Sequence, residues 1–195
     1  FFYTPLKRGL NDLLYNRQQL DLSNKNEVLA WLKDYYKYNT YEIAIPGLRD
    51  ESVTNNGKIS LVISTLIHYD IVKGILNEGW YDEFKTLSEE WIINIINDSI
   101  YPELKESIEL QFSSTPITIE SRTNNTGGAI TGWAFDNKIM PAITSLPGVS
   151  KSPNTPVPNI SQAGAWSYSP AGLPISILTG KMAFNRVHKV LKKRK

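Results

Sequence analysis

The sequence contains no cysteine. That excludes a disulfide framework, thiolate metal sites and a cysteine nucleophile, and it fits a reducing cytoplasm. Histidine is almost as scarce. Only His68 and His188 occur, far apart in the chain, so no zinc-ligand spacing can be built from them. Charge of one sign is also lacking. The formal net charge is +2 over 195 residues, too near neutral to imply a nucleic-acid partner by itself. No stretch approaches the roughly 18 apolar residues of a membrane span. The opening Phe1-Phe2-Tyr3-Thr4-Pro5 lacks the basic start and apolar run of a signal peptide. The first residue is Phe rather than Met, so a processed or excised piece of a longer protein is expected. No internal repeat of any period is visible.

What is present is an ordinary globular composition: 41% hydrophobic and 21% charged residues, enough to bury a core rather than remain disordered. Five Trp and ten Tyr promise large apolar contacts. Leu6, Leu10, Leu13 and Leu14 sit at helical spacing after Pro5. Asn24 with Glu27 three positions later resembles a capping box ahead of a second helix, whose apolar face is Val28, Trp31, Leu32 and Tyr35. The pattern then turns strand-like. Residues 41–46 read as a strand closed by Pro46-Gly47, Asn55-Asn56-Gly57 as a turn, and the β-branched run 59–67 as a buried strand.

Residues 80–100 carry the strongest helical pattern, with Phe84, Leu87, Trp91 and Ile95 in one stripe widened by Ile92 and Ile96. Pro102 interrupts it, and a short helix over 104–108 follows. Residues 109–122 read as a strand that bends or reaches an edge at Thr115-Pro116. From Thr123 the composition shifts to glycine-rich and then polar, Pro-rich chain. Residues 159–164 look like a short strand entering a small-residue turn, and 175–191 like a helix ending in Lys192-Lys193-Arg194-Lys195.

The stretch 159–186 is the one that suggests chemistry. A strand end at Ala163-Gly164-Ala165-Trp166 leads through Pro170-Ala171-Gly172-Leu173-Pro174 to a helix start near Ile175-Ser176. A helix start offers free backbone N–H groups and partial positive charge, and small residues before it allow a planar or phosphorylated ligand to approach the backbone. Such a start suits the pyrimidine edge of a flavin, where negative charge builds on reduction, and the strand-end glycine would let the ribityl and pyrophosphate pass. Glycines of this kind also serve plain turns, so both readings stand on the residues alone.

A resemblance separates them. Gln162-Ala163-Gly164-Ala165-Trp166 followed by Pro170-Ala171-Gly172-Leu173-Pro174-Ile175-Ser176-Ile177-Leu178-Thr179-Gly180-Lys181-Met182-Ala183 resembles the closing flavin motif of phytoene desaturase-like proteins, the group that includes carotenoid desaturases, carotenoid isomerases and retinol saturases. Upstream, Glu42-Ile43-Ala44-Ile45-Pro46, Gly79-Trp80-Tyr81-Asp82-Glu83-Phe84, Tyr101-Pro102, Thr115-Pro116 and Gly127-Gly128-Ala129-Ile130-Thr131-Gly132-Trp133 are similar and in the same order. The likeness runs from Tyr41 to the C-terminus. The G-x-G-x-x-G fingerprint of that family has no counterpart here, because no two glycines are spaced G-x-G.

The alternation of sheet and helix periods predicts an α+β fold with an antiparallel-rich, mixed sheet and covering helices, and the resemblance implies that it is a portion of a substrate-binding domain over 1–122. Residues 123–195 would return to the flavin domain as a C-terminal strand-loop-helix of an incomplete FAD-binding α/β domain. It implies FAD as cofactor in a full-length parent and its absence from this piece. Gly164, Ala165, Trp166, Ala171, Gly172, Leu173, Pro174, Ile175 and Ser176 would approach the cofactor, and Trp133 would line the substrate tunnel or simply pack in the core. The expected activity is oxidation or isomerisation of a long apolar, polyene or isoprenoid substrate in the parent, the piece alone being inactive. Hydride transfer to a flavin needs positioning more than acid–base groups, and no catalytic residue or metal ligand is assigned. The expected partners are the apolar substrate, the N-terminal half of the same protein, and a second copy through the severed interface. The location is cytoplasmic, with peripheral membrane contact through the basic tail. Nucleic acid is not expected, since no reading helix accompanies the tail. The rival function is a non-catalytic module that binds apolar ligands.

Trp80 and Trp91 are read as core aromatics rather than substrate lining. His68 is read as a strand-end residue. Asp82-Glu83 and Glu89-Glu90 are read as acids early in a helix, favoured by its dipole.

Overall fold

Asn24 opens the first long helix because its side-chain oxygen accepts the backbone N–H of Glu27 at 3.3 Å, covering one of the donors a helix start leaves free. The return arm of a capping box is diverted: the Glu27 carboxylate accepts the N–H of Asp21 at 3.4 Å instead. The computed structural model describes residues 1–6, 10, 13, 18–54, 56–133, 143–169 and 171–193. Among them it is a mixed α+β structure with six helices and a small three-stranded antiparallel sheet. In chain order these are β1 (Phe2–Tyr3), α1 (Lys25–Tyr38), β2 (Tyr41–Ala44), β3 (Val62–Ser64), α2 (Tyr69–Asn77), α3 (Tyr81–Asn97), α4 (Leu104–Ser107), α5 (Pro116–Thr123) and α6 (Leu173–Lys192). The chain divides into two compact units, Phe1–Ile117 and Thr118–Lys195, and the division falls inside α5. The helix expected around Leu6 to Leu14 lies mostly outside the described residues, though Leu10 and Leu13 pack against the core.

In the first unit, Val28, Trp31, Leu32 and Tyr35 of α1 meet Ile71, Val72 and Ile75 of α2 and Trp80 and Phe84 at the start of α3. Leu32 and Ile75 are fully enclosed, each contributing about 1.5–3 kcal/mol of apolar burial. A second cluster joins Tyr41 and Ile43 of β2 to Ile96 of α3. Ile92 and Ile95 touch both clusters, so α3 covers one face of the sheet and links it to the helices, as its pattern predicts. Its buried row is Phe84, Ser88 and Ile96. The polar Ser88 is tolerated there because its hydroxyl donates to the Phe84 carbonyl at 2.7 Å and accepts from Tyr36 Oη at 2.9 Å.

The sheet differs from expectation in two ways. Its order is β1-β2-β3, with Phe2 opposite Glu42 and Glu42 opposite Ser64. The strand expected over 109–122 is not formed, and the third strand of the sheet is instead Phe2–Tyr3. Gln111 Nε2 and Ser113 Oγ donate to the Glu89 carboxylate on α3, which fixes that segment by side chains rather than by a ladder. Pro116, lacking an N–H and preset near helical φ, then begins α5. The run 59–67 yields only a three-residue edge strand, with Ile59 and Leu66 largely exposed. The Leu66 carbonyl accepts from Tyr35 Oη at 2.8 Å and Asn39 Nδ2 at 3.0 Å, which pulls the chain off the sheet towards α1. His68 is consequently at the N-cap of α2 rather than at a strand end, and Glu89-Glu90 lie mid-helix, the first turn of α3 holding Asp82 and Glu83.

The second unit holds most of α5, a series of turns and the long helix α6. Among its described residues the only β contacts are single bridges, Ile143 with Tyr168 in parallel and Asn154 with Ser161 antiparallel. The strand expected over 159–164 is therefore not formed. Asn159 takes a left-handed φ of 64°, and Thr155 Oγ1 donates within 3.0 Å of the carbonyls of Val157 and Ile160. Local side-chain bonding of this type competes with a ladder.

Candidate functional site

The segment singled out by its sequence forms a latched turn in the second unit. Gly164 has φ +94°, a conformation that L side chains rarely adopt. Its carbonyl accepts both the N–H and the hydroxyl of Ser167, at 3.2 and 2.8 Å. Its N–H donates to Thr179 Oγ1 at 3.0 Å. Thr179 is fully buried in α6, and its hydroxyl donates onward to the Ser176 carbonyl at 3.0 Å. One side chain two turns into α6 thus fixes the turn to the helix start.

Ala165 and Trp166 continue that turn against the glycine-rich passage. Gly132 has φ +86°, and a Cβ there would lie 2.3 Å from the Ala165 carbonyl oxygen, so only glycine permits this backbone approach. Trp133 Nε1 donates to the Trp166 carbonyl at 3.0 Å, and the two indoles meet edge to face with centroids 5.1 Å apart. Trp166 Nε1 donates to Asn125 Oδ1 at 3.3 Å, and Asn125 Nδ2 to the Ala129 carbonyl at 3.1 Å. Ser169, fully buried, donates its hydroxyl to the Trp133 carbonyl at 3.2 Å. Trp133 is half-buried in this network.

Ala171 is buried and Gly172 stands extended at the N-cap of α6, offering no side chain to the helix start. Ser176 N–H closes the first helical bond on the Gly172 carbonyl at 2.9 Å. Pro174 sits in the first turn, where its missing N–H costs nothing. Leu173 and Ile177 project outward, 76% and 66% exposed. A Cβ on Gly172 would meet only Pro174 Cδ, at 3.9 Å. Of the nine flagged residues, Gly164, Ala165 and Trp166 share one turn, which Trp133 contacts through Trp166, and Ala171 to Ser176 form the helix start. Thr179 and Asn125, which hold these pieces together, were not singled out by the sequence reading; a threonine amid the apolar residues of α6 is the signal that marks the first.

This arrangement presents backbone N–H groups and the positive end of a 20-residue helix beside backbone that carries no side chain. That combination accommodates an anion or an electron-rich ring edge. It supplies no acid–base pair. Among the described residues no group of three His, Asp or Glu could hold a metal ion. An open groove of about 430 Å³ in the first unit is lined by Glu90, Ile93, Asn94, Lys105, Ile108 and Gln111, none of them a flagged residue. No family model and no curated protein matches the chain.

Proposed function

We propose that this chain is the C-terminal part of a flavin-dependent oxidoreductase acting on a long apolar substrate, with residues 164–166 and 171–176 against the ring end of FAD. The observation that supports it is the latched turn: Gly164 N–H on Thr179, with an unobstructed Gly172 at the cap of α6. The residues fit that group in three respects. Gly164 and Gly172 leave backbone open where a Cβ would otherwise stand. The N–H groups of Leu173 and Ile175, in the first turn of α6 where a helix leaves its donors free, would be available to the flavin edge on which reduction places negative charge. The Thr179 bond holds turn and helix in register without spending any of those donors. Flavin, when bound, supplies the two-electron acceptor for hydride, and the work left to these residues is binding, orientation and exclusion of water.

Nothing in this chain corresponds to the fingerprint that holds the adenosine and pyrophosphate, so the piece alone is expected not to retain FAD. Losing those contacts weakens affinity by several powers of ten, at about 1.4 kcal/mol each. The experiment is to purify the parent encoded with the residues upstream of Phe1, measure bound flavin by absorbance, and repeat with Gly172→Val. The expected result is a yellow parent and a folded, colourless variant, because a Cβ at position 172 meets no protein atom closer than Pro174 Cδ, at 3.9 Å. A parent without flavin, or a variant with full flavin content, refutes the reading.

A further inference from the structure

The charge of this protein is divided along the chain. Beyond Asp136 there is no acidic residue, and residues 137–195 carry nine Lys and Arg. The first 136 residues hold the other twelve against nineteen Asp and Glu, a net of −7. Such asymmetry points to an anionic partner for the basic part. Five of the nine cations lie on α6 or at its end: Lys181, Arg186, Lys189, Lys192 and Lys193.

Every residue from 184 to 193 is exposed, including Phe184 at 65%, Val187 at 46%, Val190 at 43% and Leu191 at 56%. At about 100° per residue, these four apolar side chains fall in one arc of about 120°. Lys181, Lys189, Lys192, Lys193 and Arg186 occupy the opposite side, and His188, its ring stacked 5.6 Å from Phe184, marks the border. An exposed helix split into an apolar arc and a cationic arc matches an element that lies in a bilayer interface. Lysine stems reach from the apolar boundary to the headgroups. The helix does not cross: among the described residues none is long and apolar enough to span a membrane. Two copies of α6 side by side would set like charges together, and nucleic acid would leave the apolar arc in water.

We propose that the outer half of α6 is a docking surface for anionic lipid bilayers, with Phe184, Val187, Val190 and Leu191 in the interface and the lysines over the headgroups. This does not depend on the flavin reading. The test is flotation of the 195-residue chain with phosphatidylcholine vesicles, with and without phosphatidylserine, since aggregated protein sinks. The chain is expected to float only with phosphatidylserine, and to float less as salt is added. The triple variant Lys189→Glu, Lys192→Glu, Lys193→Glu should bind at least about tenfold more weakly. The triple Phe184→Ser, Val187→Ser, Leu191→Ser should lose a similar amount; all six side chains are exposed, so the fold tolerates both variants. Protein that stays at the bottom, alone or self-associated, overturns the proposal. So does equal binding to both vesicle types, or full binding by either triple variant.

Discussion

Thr179 Oγ1 accepts the backbone N–H of Gly164 at 3.0 Å while donating to the Ser176 carbonyl. A single buried hydroxyl therefore serves as acceptor to a turn fifteen residues away and as donor to its own helix. The helix back-bond alone would do little for stability. The cross-bond sets where the turn stands relative to the start of α6.

Replacing Thr179 with Val keeps the shape and removes both bonds. The Gly164 N–H is then left without its partner, a loss of about 1–3 kcal/mol. Thr179→Ser should cost less, because the hydroxyl remains. Urea unfolding of the full chain gives the ranking, and faster amide exchange at Gly164 in the Val variant alone locates the effect. Equal stability of the Val and Ser variants would show that the bond carries no weight.

Two glycines near the site should respond oppositely to alanine. At Gly132 the new Cβ would stand 2.3 Å from one backbone atom and 3.0 Å from another, at φ +86°, so strain and overlap together should cost several kcal/mol. At Gly172 the backbone is extended and the space is open, so alanine should change stability by less than about 0.5 kcal/mol. Thermal melts of the two variants decide it; a stable Gly132→Ala chain would mean that the passage does not approach residue 165 as closely as described.

Asn24→Ala should lower stability by about 1 kcal/mol, since the Glu27 N–H loses its side-chain acceptor. Asn24→Asp should keep the cap and gain from the helix dipole. Denaturant midpoints at fixed slope check both, and no difference between Ala and Asp would dismiss the cap.

Helices were legible in the sequence where an apolar stripe and a stop coincided. Residues 80–100 contain α3, and 175–191 lie within α6. Strands were less so. The run 59–67 has the right residue types, but which carbonyls enter a ladder was settled by Tyr35 and Asn39, distant side chains that claim Leu66. The segment 109–122 failed likewise, drawn to Glu89 by Gln111 and Ser113. Two residues at the start, Phe2 and Tyr3, form a strand too short to announce itself by alternation. At the candidate site the glycines were visible and Thr179 stood out only as a polar residue amid the apolar ones of α6; its partner Gly164, and the contact of Asn125 with Trp166, are long-range and no local pattern encodes them.

The last prediction concerns alkaline pH and the tyrosines between α1, β2 and α3. Tyr36 Oη donates to Ser88 Oγ at 2.9 Å, and Tyr41 Oη to the Tyr36 carbonyl at 2.6 Å. Burial is the main reason both phenols hold their protons far above the ordinary value near 10; at Tyr36 the Ser88 bond opposes it, and at both residues neighbouring tyrosines push further up. In the unfolded chain both ionise near pH 10. The folded state therefore binds more protons above that point, and stability must fall as pH rises. Below about pH 10 the contribution is fully present. Above it, each tyrosine removes up to about 1.4 kcal/mol per pH unit, until its folded form also ionises. Lysines titrate in the same range, so the measurement is a comparison: urea midpoints from about pH 8 to about pH 11, at constant ionic strength, for the unsubstituted chain, Tyr36→Phe and Tyr41→Phe. Each substitution should lower stability at pH 8, by roughly 1 kcal/mol for its lost hydrogen bond. Each should also make the decline above about pH 10 shallower, by up to about 1.4 kcal/mol per pH unit. If the declines are parallel for all three chains, the two phenols are not held protonated by burial, and the packing described for Tyr36 and Tyr41 is wrong.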